Sequence, residues 1–285
     1  MANRFLVIGI ALMMLAVLPA YAQHNLESDF EITVIENAIR IDRFIGTGTE
    51  VSIPPTIRGL PVVEIGEMAF TRMDRWDMPE GIGLTSVIIP DSVVTIGEMA
   101  FVRNQVTNVI IGNSVATIGA GAFSDNQLVS VIIPDSVVTI GGWAFANNQL
   151  TSVVIGNSVA TIGLWAFVSN QLANVVIPDS VTAIEQWAFF RNRLSSLIVP
   201  GGVAIIAVGA FASNQLTDLT IGNGITVIDA VAFSSNLLTS VTIPDSVTVI
   251  ADGAFANNQL TSVSVLGAVN VFLNAFDSDV TITRR

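Results

Sequence analysis

The chain has 285 residues, 51% hydrophobic and 12% charged, a balance too apolar for intrinsic disorder. Its 23 acidic residues outweigh 11 basic ones for a net charge of −12, and no lysine is present. Such a surface repels phosphate backbones and anionic lipid, which argues against nucleic acid as a partner; with no cysteine either, disulfides, thiolate nucleophiles and thiolate metal sites are excluded.

Residues 1–22 read as an export signal. Arg4 supplies the positive start, Phe5 to Leu18 is an apolar stretch of 14 residues, and Pro19 breaks it. Ala20-Tyr21-Ala22 then has the small-x-small form of a cleavage site, so the mature chain is expected to begin at Gln23. The competing reading is a membrane anchor. As a helix the stretch would rise only about 21 Å, short of a hydrocarbon core of about 30 Å. No later stretch could span a bilayer, and no Cys follows the site for lipid attachment. The expectation is an exported protein, in the medium, on the outer surface or in the periplasm, with no stable membrane insertion after cleavage.

Residues 23–52 are read as an N-terminal cap. Phe30 to Ile41 alternates apolar and polar residues around Glu36-Asn37-Ala38, the pattern of a β-hairpin. His24, the one histidine, falls ahead of it in a loose end. Residues 53–83 form a first, degenerate repeat with an insertion. Its excess length lies in Thr71 to Gly83, rich in charge and holding Met73, Trp76 and Met78. A loop on a rigid scaffold is a favoured recognition position, so Trp76 is a candidate contact; a neutral bulge beside the cap is the other reading.

Residues 84–259 are eight copies of one 22-residue unit. Phe recurs in that step from Phe101 to Phe255. A fixed period of this length marks a solenoid, in which each coil buries its apolar face by stacking on its neighbours. In the copy from Leu150 to Gln171, Leu150, Val153 and Ile155 outline a short strand. Gly156-Asn157-Ser158 is a turn, for which alternate copies use Pro-Asp-Ser. Val159 and Ile162 return inward, and Ala166-Phe167 packs a tight corner. Parallel strands about 4.8 Å apart, one per coil, predict a nine-strand sheet about 40 Å long. Residues 260–285 form a final partial repeat and cap, with Asp277, Asp279, Arg284 and Arg285 at the exposed end.

Asn104, Asn126, Asn148, Asn170, Asn192, Asn214, Asn236 and Asn258 recur beside this core. A polar group there must be hydrogen-bonded, and stacked amides can bond neighbouring backbone groups as a ladder. That structural reading is preferred to a row of ligand-binding amides.

The unit resembles the bacterial leucine-rich repeats of the BspA-like family, which read roughly L-x-x-V-x-I-P-x-x-V-x-x-I-G-x-x-A-F with Cys or Asn three residues on. The match runs from about Val51 to Ala275, in a 22-residue variant with Asn at the ladder. The Phe30 to Ile41 segment, Val51-Ser52-Ile53-Pro54 and Gly59-Leu60-Pro61-Val62 also look like that family's opening segment. The resemblance implies a solenoid of leucine-rich repeats with one short parallel strand per coil in a curved sheet. Turns, short strands and 3-10 segments would form the convex side, with a β-hairpin as N-terminal cap. It also implies surface-associated adhesion or host-protein recognition.

Two surface columns are candidate contacts. Between the inward pairs of each strand, Ile88, Ile110, Ile132, Val154, Val176 and Ile198 must point outward beside a polar column that includes Ser196 and Asp218. A contiguous apolar stripe often marks a protein-binding surface, and β-branched residues also pack simply to stabilise a sheet. Trp143, Trp165 and Trp187 stand two residues before successive Phe residues, where other copies carry Gly121, Gly209 or Gly253. Three indoles on adjacent coils make a flat patch suited to glycan or protein; shielding of the core's edge is the alternative. The Arg191–Arg193 pair is a weaker candidate.

No catalytic constellation, cofactor motif or metal site is legible. Asp91, Asp135 and Asp179 recur two coils apart, about 10 Å, too wide to share one calcium, and read as turn formers. The expectation is a non-catalytic binding scaffold whose partner is a protein (host matrix or envelope) or a glycan. The alternative is a self-associating structural solenoid of the periplasm or envelope.

Overall fold

The structure is a computed structural model that describes residues 24–73 and 79–285. The export signal and Trp76 lie outside the described residues. Each 22-residue unit closes one coil, and the coils stack in parallel along the whole repeat region.

The stack is built around one file of phenylalanine rings. Phe70, Phe101, Phe123, Phe145, Phe167, Phe189, Phe211, Phe233 and Phe255 are all at 0% exposure, with neighbouring centroids 4.5 to 5.7 Å apart. The preceding Ala carries no bulk, so the ring fits behind the corner; Ala100, Ala122 and Ala144 are equally buried. Each ring contributes about 1.5–3 kcal/mol through burial.

The first coil is closed by the expected hairpin. Phe30–Ile35 pairs antiparallel with Ala38–Phe44, Ile35 opposite Ala38, and the turn carries Glu36 at φ 53°. Asp42 accepts a hydrogen bond from Arg40 Nε at 2.7 Å, which raises the guanidinium pKa further. Phe30, Phe44 and Phe70 are in mutual ring contact, so the hairpin extends the aromatic file. His24 is tied down, contrary to the expectation of a loose end. Its Nδ1 lies 3.0 Å from Ser52 Oγ, and Asn25 bonds the Ser52 backbone through both its amide N–H and its Oδ1.

The nine-strand sheet expected on the strand face is divided. Glu50–Ser52, Ser86–Ile88 and Asn108–Ile110 form a three-stranded sheet. Ser130–Ile132 pairs with Ser152–Val154, Ser196–Val199 with Asp218–Ile221, and Ser262–Val265 with Thr281–Arg284. Proline stands after the strand at most of the divisions. In the ladder from Ser196–Val199 to Asp218–Ile221 the residue after the strand donates back to the preceding coil, Gly222 N–H to the Val199 carbonyl at 3.0 Å. Pro134, Pro178, Pro200 and Pro244 occupy that place and have no N–H. None of the coil junctions leading into them carries a paired ladder among the described residues. The junction into Pro90 is paired all the same, with Ile53 N–H donating to the Ile88 carbonyl at 3.0 Å.

The longer ladder lies elsewhere in the coil, at the two-residue Thr–Ile strands. The hairpin, Leu60–Ile65, Thr95–Ile96, Thr117–Ile118, Thr139–Ile140, Thr161–Ile162 and Ala183–Ile184 run in one sheet. A second sheet resumes at Ile205–Ile206 and ends at Asn270–Val271. Beyond it, Arg285 Nη2 bonds Asp245 Oδ1 at 2.6 Å, and Asp277 accepts from the backbone N–H of Asn257 and Asn258.

Candidate functional site

The asparagine column is a hydrogen-bond ladder facing the core. Asn148 Oδ1 accepts the Leu128 N–H at 3.0 Å, and its Nδ2 donates to the Phe123 carbonyl at 2.9 Å and the Phe145 carbonyl at 3.2 Å. Asn126, Asn170, Asn192, Asn214 and Asn236 repeat the pattern one coil at a time. Asn104 begins it, accepting from both Ile82 and Leu84, and Asn258 ends it. These amides are engaged by the backbone on both sides.

The tryptophan column sits where the backbone turns left-handed. Trp143, Trp165 and Trp187 have φ of 61°, 59° and 59°, matching Gly121 at 61° and Gly209 at 61°. This conformation is unfavourable for side-chain-bearing residues, which suits the glycine of three other copies, while Met99 and Val231 adopt it at φ 51°. The indoles stack with centroids 5.3 and 5.2 Å apart and planes within 20° and 12° of parallel. Phe190 packs edge-on against Trp165 and Trp187, and Arg191 lies over the Phe190 ring at 5.0 Å. A Cβ on Gly209 would come within 2.1 Å of the Trp187 indole, so that ring lies flat over the next coil's glycine. Trp143, at the opposite end, is 44% exposed. Phe190 and Arg191 belong to this cluster, and an aromatic ring in a column otherwise of Val, Ser and Ala was the signal for Phe190.

The strand face presents the apolar column outward. Ile88, Ile110 and Val154 are half-buried; Ile132, Val176 and Ile198 are exposed, the last two at 53% and 59%. Inward neighbours Val175 and Leu197 stay buried, which is the alternation of a strand with one face on the core. The column is therefore accessible, and it steepens in exposure where the coils are unpaired around residue 176.

The turn aspartates do more than shape turns. Asp91 Oδ1 accepts the Asn113 N–H at 2.7 Å, and Asp135 Oδ1 accepts the Asn157 N–H at 2.7 Å. Each Pro-Asp-Ser coil is thus clasped to the Gly-Asn-Ser coil that follows. The glycine is required there, because a Cβ on Gly156 would lie 2.2 Å from the Pro134 carbonyl oxygen. The next copy breaks the rule. Asp179 faces a coil with Gly201-Gly202, and among the described residues its carboxylate has no hydrogen-bond or ion-pair partner.

Within the insertion Thr71–Met73 pairs antiparallel with Pro79–Gly81, and Gly81 would clash with the Arg103 carbonyl of the next coil if it bore a side chain. Among the described residues no group of three His, Asp or Glu side chains is placed to hold a metal ion. No helix among them is long and apolar enough to cross a membrane.

These features define a solenoid scaffold of leucine-rich repeats that presents broad outward columns. The sequence pattern described as BspA type leucine rich repeat region, 6 copies, matches residues 80–194 and 166–283. The chain belongs to that family. No curated protein matches the chain. Among solved structures it is similar to a Treponema pallidum leucine rich repeat protein at 26% identity, covering 73% of this chain and 85% of that one, with a TM-score of 0.48. It is also similar to a leucine rich cell surface protein of Faecalibacterium prausnitzii, at 21% identity over 88% of this chain and 90% of that one, TM-score 0.42. The pneumococcal vaccine antigen PcpA is 18% identical over 90% of this chain and 86% of that one, TM-score 0.46.

Proposed function

We propose that this chain is an exported, non-catalytic binding scaffold that recognises a protein partner, with the strand face as its main contact surface. The observation that carries the reading is the outward apolar column, open to solvent at Ile132, Val176 and Ile198. A soluble surface seldom keeps such residues in one contiguous file without a partner to cover them. Binding buries this file while the polar column beside it sets register. The stacked indoles supply a second, rigid aromatic patch for a protein or glycan. Export rests on the apolar N-terminal stretch and its small-x-small end.

Fractionation with surface-protease treatment of intact producing cells tests the location. Mature chain in the medium or on the surface supports recognition of an outside partner, and a wholly periplasmic chain moves the partner inside the envelope. Replacement of Ile110, Ile132 and Val154 by Ser leaves the inward residues untouched and should abolish partner binding. Unchanged affinity would sink the strand-face reading.

A second reading is self-association, favoured by one observation. Phe272 and Leu273 in the last coil are 47% and 95% exposed. Sedimentation across a concentration series checks it: a rising mass supports assembly, and a constant monomer removes it.

A further inference from the structure

We propose that the strand face holds one specific docking groove, floored by Val176 and Ile198 and flanked by Asp179 and Asp218, for an extended cationic segment of a protein partner. The inference rests on the strand-face reading above and names the chemistry of what binds there.

The repeats act as internal controls, and the departures from them coincide at this place. The groove has a volume of about 470 Å³. Its floor holds the two most exposed members of the apolar column, Val176 at 53% and Ile198 at 59%. Residues 174–176 form no ladder with the coil on either side. Val175 and Ile177 beneath them stay buried, at 8% and 7% exposure.

Charge selects the occupant. Asp218 stands in a column filled elsewhere by Ser and Asn, and it is exposed. Asp179 is the turn aspartate left without an amide clasp, and it stands opposite Gly201 where earlier copies carry Asn. Among the described residues neither carboxylate has a hydrogen bond or ion pair. Asp218 lies toward the start of the strand and Asp179 beyond its end, two coils apart on the order of 10 Å along the axis. They therefore flank the apolar floor from opposite sides. An extended chain places alternate residues on one face about 6.6 Å apart, so a cation–apolar–cation pattern at every second residue spans such a site. Arginine suits the ends, since its planar fork meets a carboxylate with two bonds. The chain's net charge of −12 adds long-range attraction for such a segment.

The probe is a fluorescent peptide with Arg, Leu and Arg at alternate positions, titrated by anisotropy into the full mature chain. A glutamate counterpart and a serine counterpart that keeps the leucine serve as controls. Saturable binding of the arginine peptide alone, weakening with added salt, is expected. Asp179→Asn with Asp218→Ser, residues that other copies carry, should weaken it roughly tenfold, the product of two partly exposed ion pairs. Ile198→Ser should weaken it, and Ile88→Ser, at the far end of the column, should not. Circular dichroism melts confirm that the variants fold. The proposal is overturned if the arginine peptide fails to saturate, or if the double variant binds it as tightly as the parent. Equal binding of the arginine and serine peptides, lost on Ile198→Ser, overturns the cationic specificity while leaving the strand-face reading standing.

Discussion

Replacing Asn148 by Ala tests whether the ladder holds the coils together. The carbonyls it serves keep a second donor: Phe123 retains Asn126 at 3.2 Å and Phe145 retains Asn170 at 2.9 Å. Among the described residues the Leu128 N–H has Asn148 Oδ1 as its one acceptor, and Leu128 is at 0% exposure. Stranding that donor costs about 1–3 kcal/mol, and the lost amide donations add about 1 kcal/mol more. The expected total is about 3 kcal/mol, or a fall of about 1 M in the urea midpoint. Trp143 and Trp165 flank this coil, so their fluorescence follows its unfolding. Asn258→Ala should cost about 1 kcal/mol, since its acceptor site is only partly buried and water can replace it. Asn148→Asp is the sharper variant. Its second oxygen would face the three carbonyls of Phe123, Phe145 and Ala146, so the carboxyl is forced neutral and its folded pKa rises above the ordinary carboxylate value. Stability is then complete below that ordinary value and is lost as pH rises through the raised one. A cost under about 0.5 kcal/mol for Asn148→Ala, or a pH-independent Asn148→Asp, would refute the reasoning.

Two further substitutions separate copies that look alike in sequence. Asp135→Ala breaks the clasp to Asn157 and should cost about 1 kcal/mol, whereas Asp179→Ala should leave the urea midpoint unchanged. Gly156→Ala drives a Cβ into the Pro134 carbonyl and should cost about 3 kcal/mol by thermal or urea denaturation. Gly209→Ala should displace the Trp187 indole and shift the emission maximum, and an unaltered spectrum would mean that the ring does not lie over that glycine.

The period alone determined that the chain is a solenoid and that one Phe per coil is buried, because every coil repeats the same environment. The hairpin that opens the stack was legible from the apolar–polar alternation of Phe30 to Ile41. The outward strand column was legible because strand alternation fixes which side chains leave the core, whereas the tryptophan column lies at turn corners. What sequence could not place was anything that depends on how one coil meets the next. The division of the strand face needed coil register: Pro90 follows a strand that pairs with the coil before it, and Pro134 follows one that does not. The left-handed corners turned the Gly and Trp column from a compositional oddity into a stack lying flat over the next glycine. Asp135 and Asp179 share the same Pro-Asp-Ser context, yet one is clasped and the other is open. The difference lies 22 residues further on, and stacking brings those residues within hydrogen-bond distance.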